Sequence, residues 1–221
     1  MFIGHYALAF AAKRAAPRTS LGNLFIAPTL ADMLWPVFLL LGWEQAHVEP
    51  GTNPFLTLWL DDYPLSHSLI TLIGWGALYG FFYKARTGYR EGAIVLGLLV
   101  VSHWVLDMVT HRPDMPIYPG SAEVGLGLWR SPAATVIVES LLLIAGVAIY
   151  ARVTRARDGI GRWGFPGLVA LLAVSYSASF FSPLPTDMRA VAISGLVFEG
   201  VFVLLAWWID RHRAAALGQV V

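Results

Sequence analysis

Three residues spaced four apart, His103, Asp107 and His111, close a long apolar run that begins near residue 91. In a helix this spacing stacks the side chains on one face, turn above turn. Imidazole nitrogens and carboxylate oxygens bind metals and carry protons, and both are costly to hold inside apolar sequence. A buried carboxylate needs a partner that stays charged. The apolar segments carry no Lys or Arg, so the expected partner is an imidazolium or a metal ion. More groups of the same chemistry lie elsewhere: His5 near the start, Asp32 between Pro28 and Pro36, His67, Glu139 and Glu199.

The elements that must position these groups are membrane helices. The 221 residues are 57% hydrophobic and only 13% charged, with a mean hydropathy of +0.63. Soluble domains are nearer a quarter charged, so the composition points to an integral-membrane protein. Six apolar segments approach the roughly 20 residues that cross a bilayer: 21–43, 66–83, 91–110, 133–151, 163–182 and 190–209. Residues 1–12 are apolar but too short to cross, and are expected to form a short N-terminal helix. The expected fold is therefore all-α, a polytopic bundle of six spanning helices plus the short one, in a single membrane domain over 1–221. Without a basic leader and small-residue cleavage site, the chain is expected to be retained whole.

Loop charge orients the bundle. Basic residues cluster at 13–18, 84–90, 152–162 and 211–213, while the 44–65 loop carries Glu44, Glu49, Asp61 and Asp62 with no Lys or Arg. The positive-inside rule puts the basic loops and the C-terminus in the cytoplasm. Net charge is +1 and there is no cysteine. This gives no case for a nucleic-acid partner and excludes thiolate catalysis, cysteine zinc sites and disulfides. Membrane lipid is the expected surrounding medium and a candidate substrate.

At a rise of about 1.5 Å per residue, Asp32 and His103 both stand roughly 17 Å up a core about 30 Å thick. Asp107 lies one turn further out, His67 approaches from the outer end, and His5 stands about 12 Å up if the first helix rises from the cytoplasmic face. Glu139 falls about 9 Å below the outer end of its segment, near Asp107. The expected metal set is His5, Asp32, His67, His103 and Asp107. Asp107 and Glu139 are the expected catalytic carboxylates, Glu139 as a further ligand or general base. His111 is expected at the water boundary as a gate or bystander, and Glu199 as a protonated structural group. Nitrogen and oxygen donors without sulfur suit zinc, one or two ions, with manganese, iron or nickel as alternatives. Bound zinc lowers the pKa of its water to about 7 and so supplies hydroxide at neutral pH.

The motifs Gly4-His5, Ala31-Asp32, Ser66-His67-Ser68-Leu69 and Ser102-His103-x-x-x-Asp107 occur in one order. In this the chain resembles a bacterial inner-membrane family described as membrane-bound metal-dependent hydrolases, distantly similar to zinc-dependent phospholipase C. That family's pattern is Gly-His, Pro-Asp-x-Asp, Thr-His-Ser-Leu and Ser-His-x-x-x-Asp. Here Ala31 stands for the proline, Leu34 for the second aspartate, and Tyr63-Pro64-Leu65 for a His-Arg-Gly type stretch. The resemblance implies an inner-membrane location, hydrolysis of a phosphoester or similar bond, and His5, Asp32, His67, His103 and Asp107 as metal ligands.

Three functions compete. A metallohydrolase acting on an amphiphile at the outer leaflet would place Asp61, Asp62 or Asp114 as proton acceptors on the rim. A proton or metal transporter would need polar residues continuing through the inner half, where only Asn23 and Glu199 are found. A structural protein with a buried polar network would bind no metal tightly.

Overall fold

The computed structural model describes residues 1–49, 51, 53–182, 185 and 187–216. Helices dominate. A short α1 (Ile3–Ala12) is followed by α2 (Leu21–Leu40), α4 (Leu69–Thr87), α5 (Arg90–Thr110), α6 (Pro132–Val153), α7 (Gly159–Ser179) and α8 (Met188–Arg211). A one-turn helix, α3 (Pro64–His67), precedes α4. The six long helices coincide with the six apolar segments. Among the described residues four of them, α2, α5, α6 and α8, have both the length and the hydropathy to cross a membrane.

The architecture departs from purely helical. Three two-stranded antiparallel sheets decorate the bundle ends: β1 (Gln45–Val48) with β2 (Leu58–Asp62), β3 (Met115–Pro116) with β4 (Glu123–Val124), and β5 (Thr154–Ala156) with β6 (Arg213–Ala215). None was expected, because strands of two to five residues in polar loops leave little periodic signal. The β1–β2 hairpin and the β3–β4 segment cover the same end of the bundle. Arg112 joins them, donating to Leu58 O at 3.0 Å and lying 3.5 Å above the Trp59 ring. This is the hairpin end; β5–β6 lies at the other.

α1 is the wedge around which the helices gather. Ile3, Gly4, His5, Tyr6, Ala7, Ala9 and Phe10 are all buried, on every side of the helix. At about 1.5 Å per residue it spans some 15 Å, half a bilayer core. Gly146 of α6 lets it approach, since a Cβ there would collide with Ala7 O. α4 and α5 meet through Gly76 and Gly80, where a Cβ would stand 2.7 Å from Gly97 O and 2.8 Å from Ala93 O. Small residues permit such backbone contact between apolar helices.

α2 runs unbroken through Pro28 and Pro36. Each proline lacks an N–H and leaves one upstream carbonyl without its helical donor. Helix α4 ends at Gly88, whose φ of +70° is a left-handed cap that favours glycine.

Candidate metal centre

Four elements bring the His and Asp side chains together at the hairpin end of α1. α1 supplies His5, α2 supplies Asp32, α3 supplies His67, and α5 supplies His103 and Asp107. Local sequence explains how His67 arrives there. Pro64 occupies the first turn of α3, and Ser68 then turns to extended backbone (φ −74°, ψ 148°) and caps α4 by accepting from Thr71 N. The expectation that the second span begins at His67 is thereby corrected: His67 sits on a separate turn, set at an angle the long helix would not allow.

Two ligand groups share His103. In one, His5, His103 and Asp107 offer nitrogen and oxygen atoms within 4.8 Å of one another; in the other, Asp32, His67 and His103 do the same. Asp107 Oδ1 is 3.1 Å from His5 Nε2 and Oδ2 is 2.9 Å from His103 Nε2. The Met1 amino group also pairs with Asp107 Oδ1. Asp32 Oδ1 is 3.6 Å from His67 Nε2 and 3.9 Å from His103 Nε2. These last separations are too long for hydrogen bonds. They approach the roughly 3.3 Å between neighbouring ligands of a tetrahedral ion with bonds of about 2.0–2.1 Å.

The imidazole orientations fit such an ion. His103 Nδ1 lies 2.7 Å from Pro28 O, His67 Nδ1 lies 2.7 Å from Ser66 Oγ, and His111 Nδ1 lies 3.0 Å from Asp114 Oδ1. An acceptor on Nδ1 holds the proton there and leaves the Nε2 lone pair free, the usual arrangement behind a metal-bound histidine. His103 Nε2 is buried beside Asp107 Oδ2, 2.9 Å away. Either a proton on Nε2 or a cation between the two atoms makes that contact attractive. The rings of His5 and His103 are stacked, with centroids 4.1 Å apart and 7° between planes. Two imidazolium charges so placed would oppose each other.

Beside these ligands lies a cavity of about 380 Å³, within the size range of small-ligand pockets. Its lining includes the polar side chains of Asp32, His67, Asp107 and His111. The apolar Phe2, Trp35, Phe55, Leu58 and Leu60, with Tyr176, also line it. Phe55, Leu58 and Leu60 belong to the β1–β2 hairpin segment, so the hairpin roofs the cavity. His5 and His103 stand one layer behind.

The carboxylates divide by role. Glu139 Oε2 accepts from Phe2 N at 2.9 Å and Gly4 N at 3.2 Å, which caps the start of α1 and complements its dipole. Its Oε1 is buried without a hydrogen-bond partner, and Glu139 and Tyr176 both line the cavity. Glu139 therefore holds the start of α1 in place beside the site. Glu199 accepts from Tyr6 Oη at 2.6 Å and also lines the cavity.

Two placements differ from the sequence reading. His111 is not at a water boundary: it is 4% exposed, its ring lies 4.1 Å from that of Trp129, and its Nε2 is 3.7 Å from Asp107 Oδ2. Its place in the i, i+4 series was a legible signal, outweighed by the depth estimate. Of the three rim acidic residues, Asp114 does reach the site, through His111, while Asp61 pairs with the exposed His47. Glu44 goes unnoticed in the sequence, because only tertiary structure brings it to Ser66, the neighbour of His67.

Below the site the bundle is packed with aromatic rings. Tyr6, Phe10 and Phe25 are fully buried, and Phe10 meets Phe25, Tyr150 and Phe165 at centroid distances of 5.1–5.9 Å.

A family model described as YdjM inner membrane protein matches residues 64–184, more than half of the chain. No curated protein and no solved structure matches it. The chain belongs to the YdjM inner membrane protein family, and its apolar helices agree with a multi-pass location in that membrane.

Proposed function

We propose that this YdjM-family protein is a membrane-embedded metal-dependent hydrolase acting on a phosphoester or lipid-like substrate. All six long helices are taken as spans. The hairpin end faces outward and the C-terminus faces the cytoplasm, as the distribution of basic residues requires. The observation that carries this reading is the pair of His and Asp groups sharing His103, set beside a cavity lined by both polar and apolar side chains.

His5, Asp32, His67, His103 and Asp107 would hold one or two divalent ions, zinc by donor chemistry. A bound ion would supply Lewis acidity and an acidified water at neutral pH. The chain's own residues do the remainder. Pro28 O, Ser66 Oγ and Asp114 hold three imidazoles with Nε2 turned to the centre. Glu139, which lines the cavity, would take a proton there. The aromatic and leucine wall would seat an acyl or isoprenoid chain, and the hairpin would keep bulk water from it.

The buried aromatic packing beneath the site favours this reading over transport. A conduit needs a continuous run of polar groups, and the fully buried Phe10 and Phe25 pack between the site and the buried Lys13–Asp210 pair. The test is hydrolysis by the reconstituted, zinc-loaded protein, offered a chromogenic phosphodiester and a phospholipid in turn. Release of product that stops on chelation and is lost in His103→Ala is expected. Equal hydrolysis by wild type and His103→Ala, or none on either substrate by zinc-loaded protein, would overturn it.

A further inference from the structure

One buried carboxylate lies outside the ligand set and has no role in the reading above. Glu44 follows α2 and is 1% exposed. Its Oε1 accepts from Ser66 N at 2.8 Å and its Oε2 from Ser66 Oγ at 2.6 Å. Among the described residues no cationic side chain pairs with it. A buried carboxylate without a counter-charge is costly, so its retention needs another explanation.

The hydroxyl supplies one. Ser66 Oγ has a single proton, and it is committed to Glu44. Toward His67 Nδ1, 2.7 Å away, the same oxygen can only accept. His67 must then carry its proton on Nδ1 and present a bare Nε2 to Asp32 and His103. Were Ser66 unclaimed, its hydroxyl could rotate and donate to Nδ1, and the proton on Nε2 would block that atom as a ligand.

We infer that Glu44 is a positioning residue for the metal centre, acting through Ser66 to fix the tautomer and aim of His67. The chain carboxylate–serine–histidine extends by one hydroxyl the direct carboxylate–histidine contact that Asp114 makes with His111. This inference rests on the metal reading and adds Glu44, a residue that reading does not use.

The test is titration of the full-length, detergent-solubilised, metal-free protein with cobalt alone, followed by visible absorption and by competition with a chromophoric chelator. Ser66→Ala and Glu44→Gln should each weaken binding about 10–100-fold, the range for residues that orient a ligand. The double variant should bind no worse than Ser66→Ala, since both act through one chain. Ser66→Thr, which keeps the hydroxyl, should restore the affinity and the cobalt spectrum. Glu44→Gln preserves volume and carries the test if Ser66→Ala does not fold. Wild-type affinity in both Ser66→Ala and Glu44→Gln, alongside lost affinity in His67→Ala, would overturn this inference and leave the metal reading standing. A wild-type chain that takes up no cobalt would overturn both.

Discussion

Two buried polar clusters sit at opposite ends of α1, and they are built differently. At the end away from the hairpin, Asp210 of α8 accepts from Lys13 Nζ at 2.7 Å, Leu21 N at 3.0 Å and Tyr150 Oη at 2.8 Å. Lys13 also donates to Thr19 O at 2.8 Å. Each charge has its counter-charge and the geometry is closed. At the hairpin end Asp107 pairs with the Met1 amino group and with His103, but His5 Nδ1, Glu139 Oε1 and the Tyr176 hydroxyl are buried without hydrogen-bond partners. A satisfied network rigidifies a fold, whereas orphaned polar atoms are expensive and mark a place where something else binds. The contrast separates a lock from a site within one molecule.

The largest expected effect breaks the lock. Asp210→Ala leaves Lys13 buried and unpaired, and should cost about 3–5 kcal/mol of stability. Unfolding in detergent measures the cost, and cobalt affinity of the folded fraction should stay at the wild-type value. The site should respond to metal instead. Zinc at 100 times its dissociation constant should stabilise the wild type by about 2.7 kcal/mol and His103→Ala not at all. Thermal melts with and without chelator compare them.

An intermediate effect links the two clusters, because α1 carries both Lys13 and His5. Gly146→Val should push against Ala7 O and cost about 1–3 kcal/mol as overpacking, with weakened cobalt binding as α1 shifts. If stability falls while affinity holds, α1 does not couple the ends. The smallest effect is expected at the exposed α7 cap. The Gly161 backbone N–H and His212 hold the Asp158 carboxyl below its ordinary value. A depressed carboxyl contributes stability above its unfolded pKa, and this is lost as pH falls through the folded one. The small melting difference between wild type and Asp158→Ala should therefore be present at pH 7 and fade below about pH 4.

The helices were legible because their apolar runs are long, and Asp32, His103 and Asp107 were legible because helical rise converts position into depth. His5 followed from the same arithmetic applied to a short helix. What stayed hidden depends on contacts distant in sequence. Lys13 reads as one of an interfacial basic cluster, yet it is buried against Asp210, 197 positions away. Glu44 reads as one acid of an exposed loop, yet it closes on Ser66. The hairpin roof depends on Arg112 lying over Trp59, a pairing no local pattern announces. His111 follows the last helical residue, as the apolar run implies, and it is the loop residues Asp114 and Trp129 that bury it.

The central claim is that His103 is the shared ligand of a metal centre. Elemental analysis of the purified protein after zinc loading and removal of free metal tests it most directly. One or two zinc ions per wild-type chain, falling to none in a folded His103→Ala variant, is the predicted result. Zinc retained equally by both, or absent from the wild type, would contradict the account.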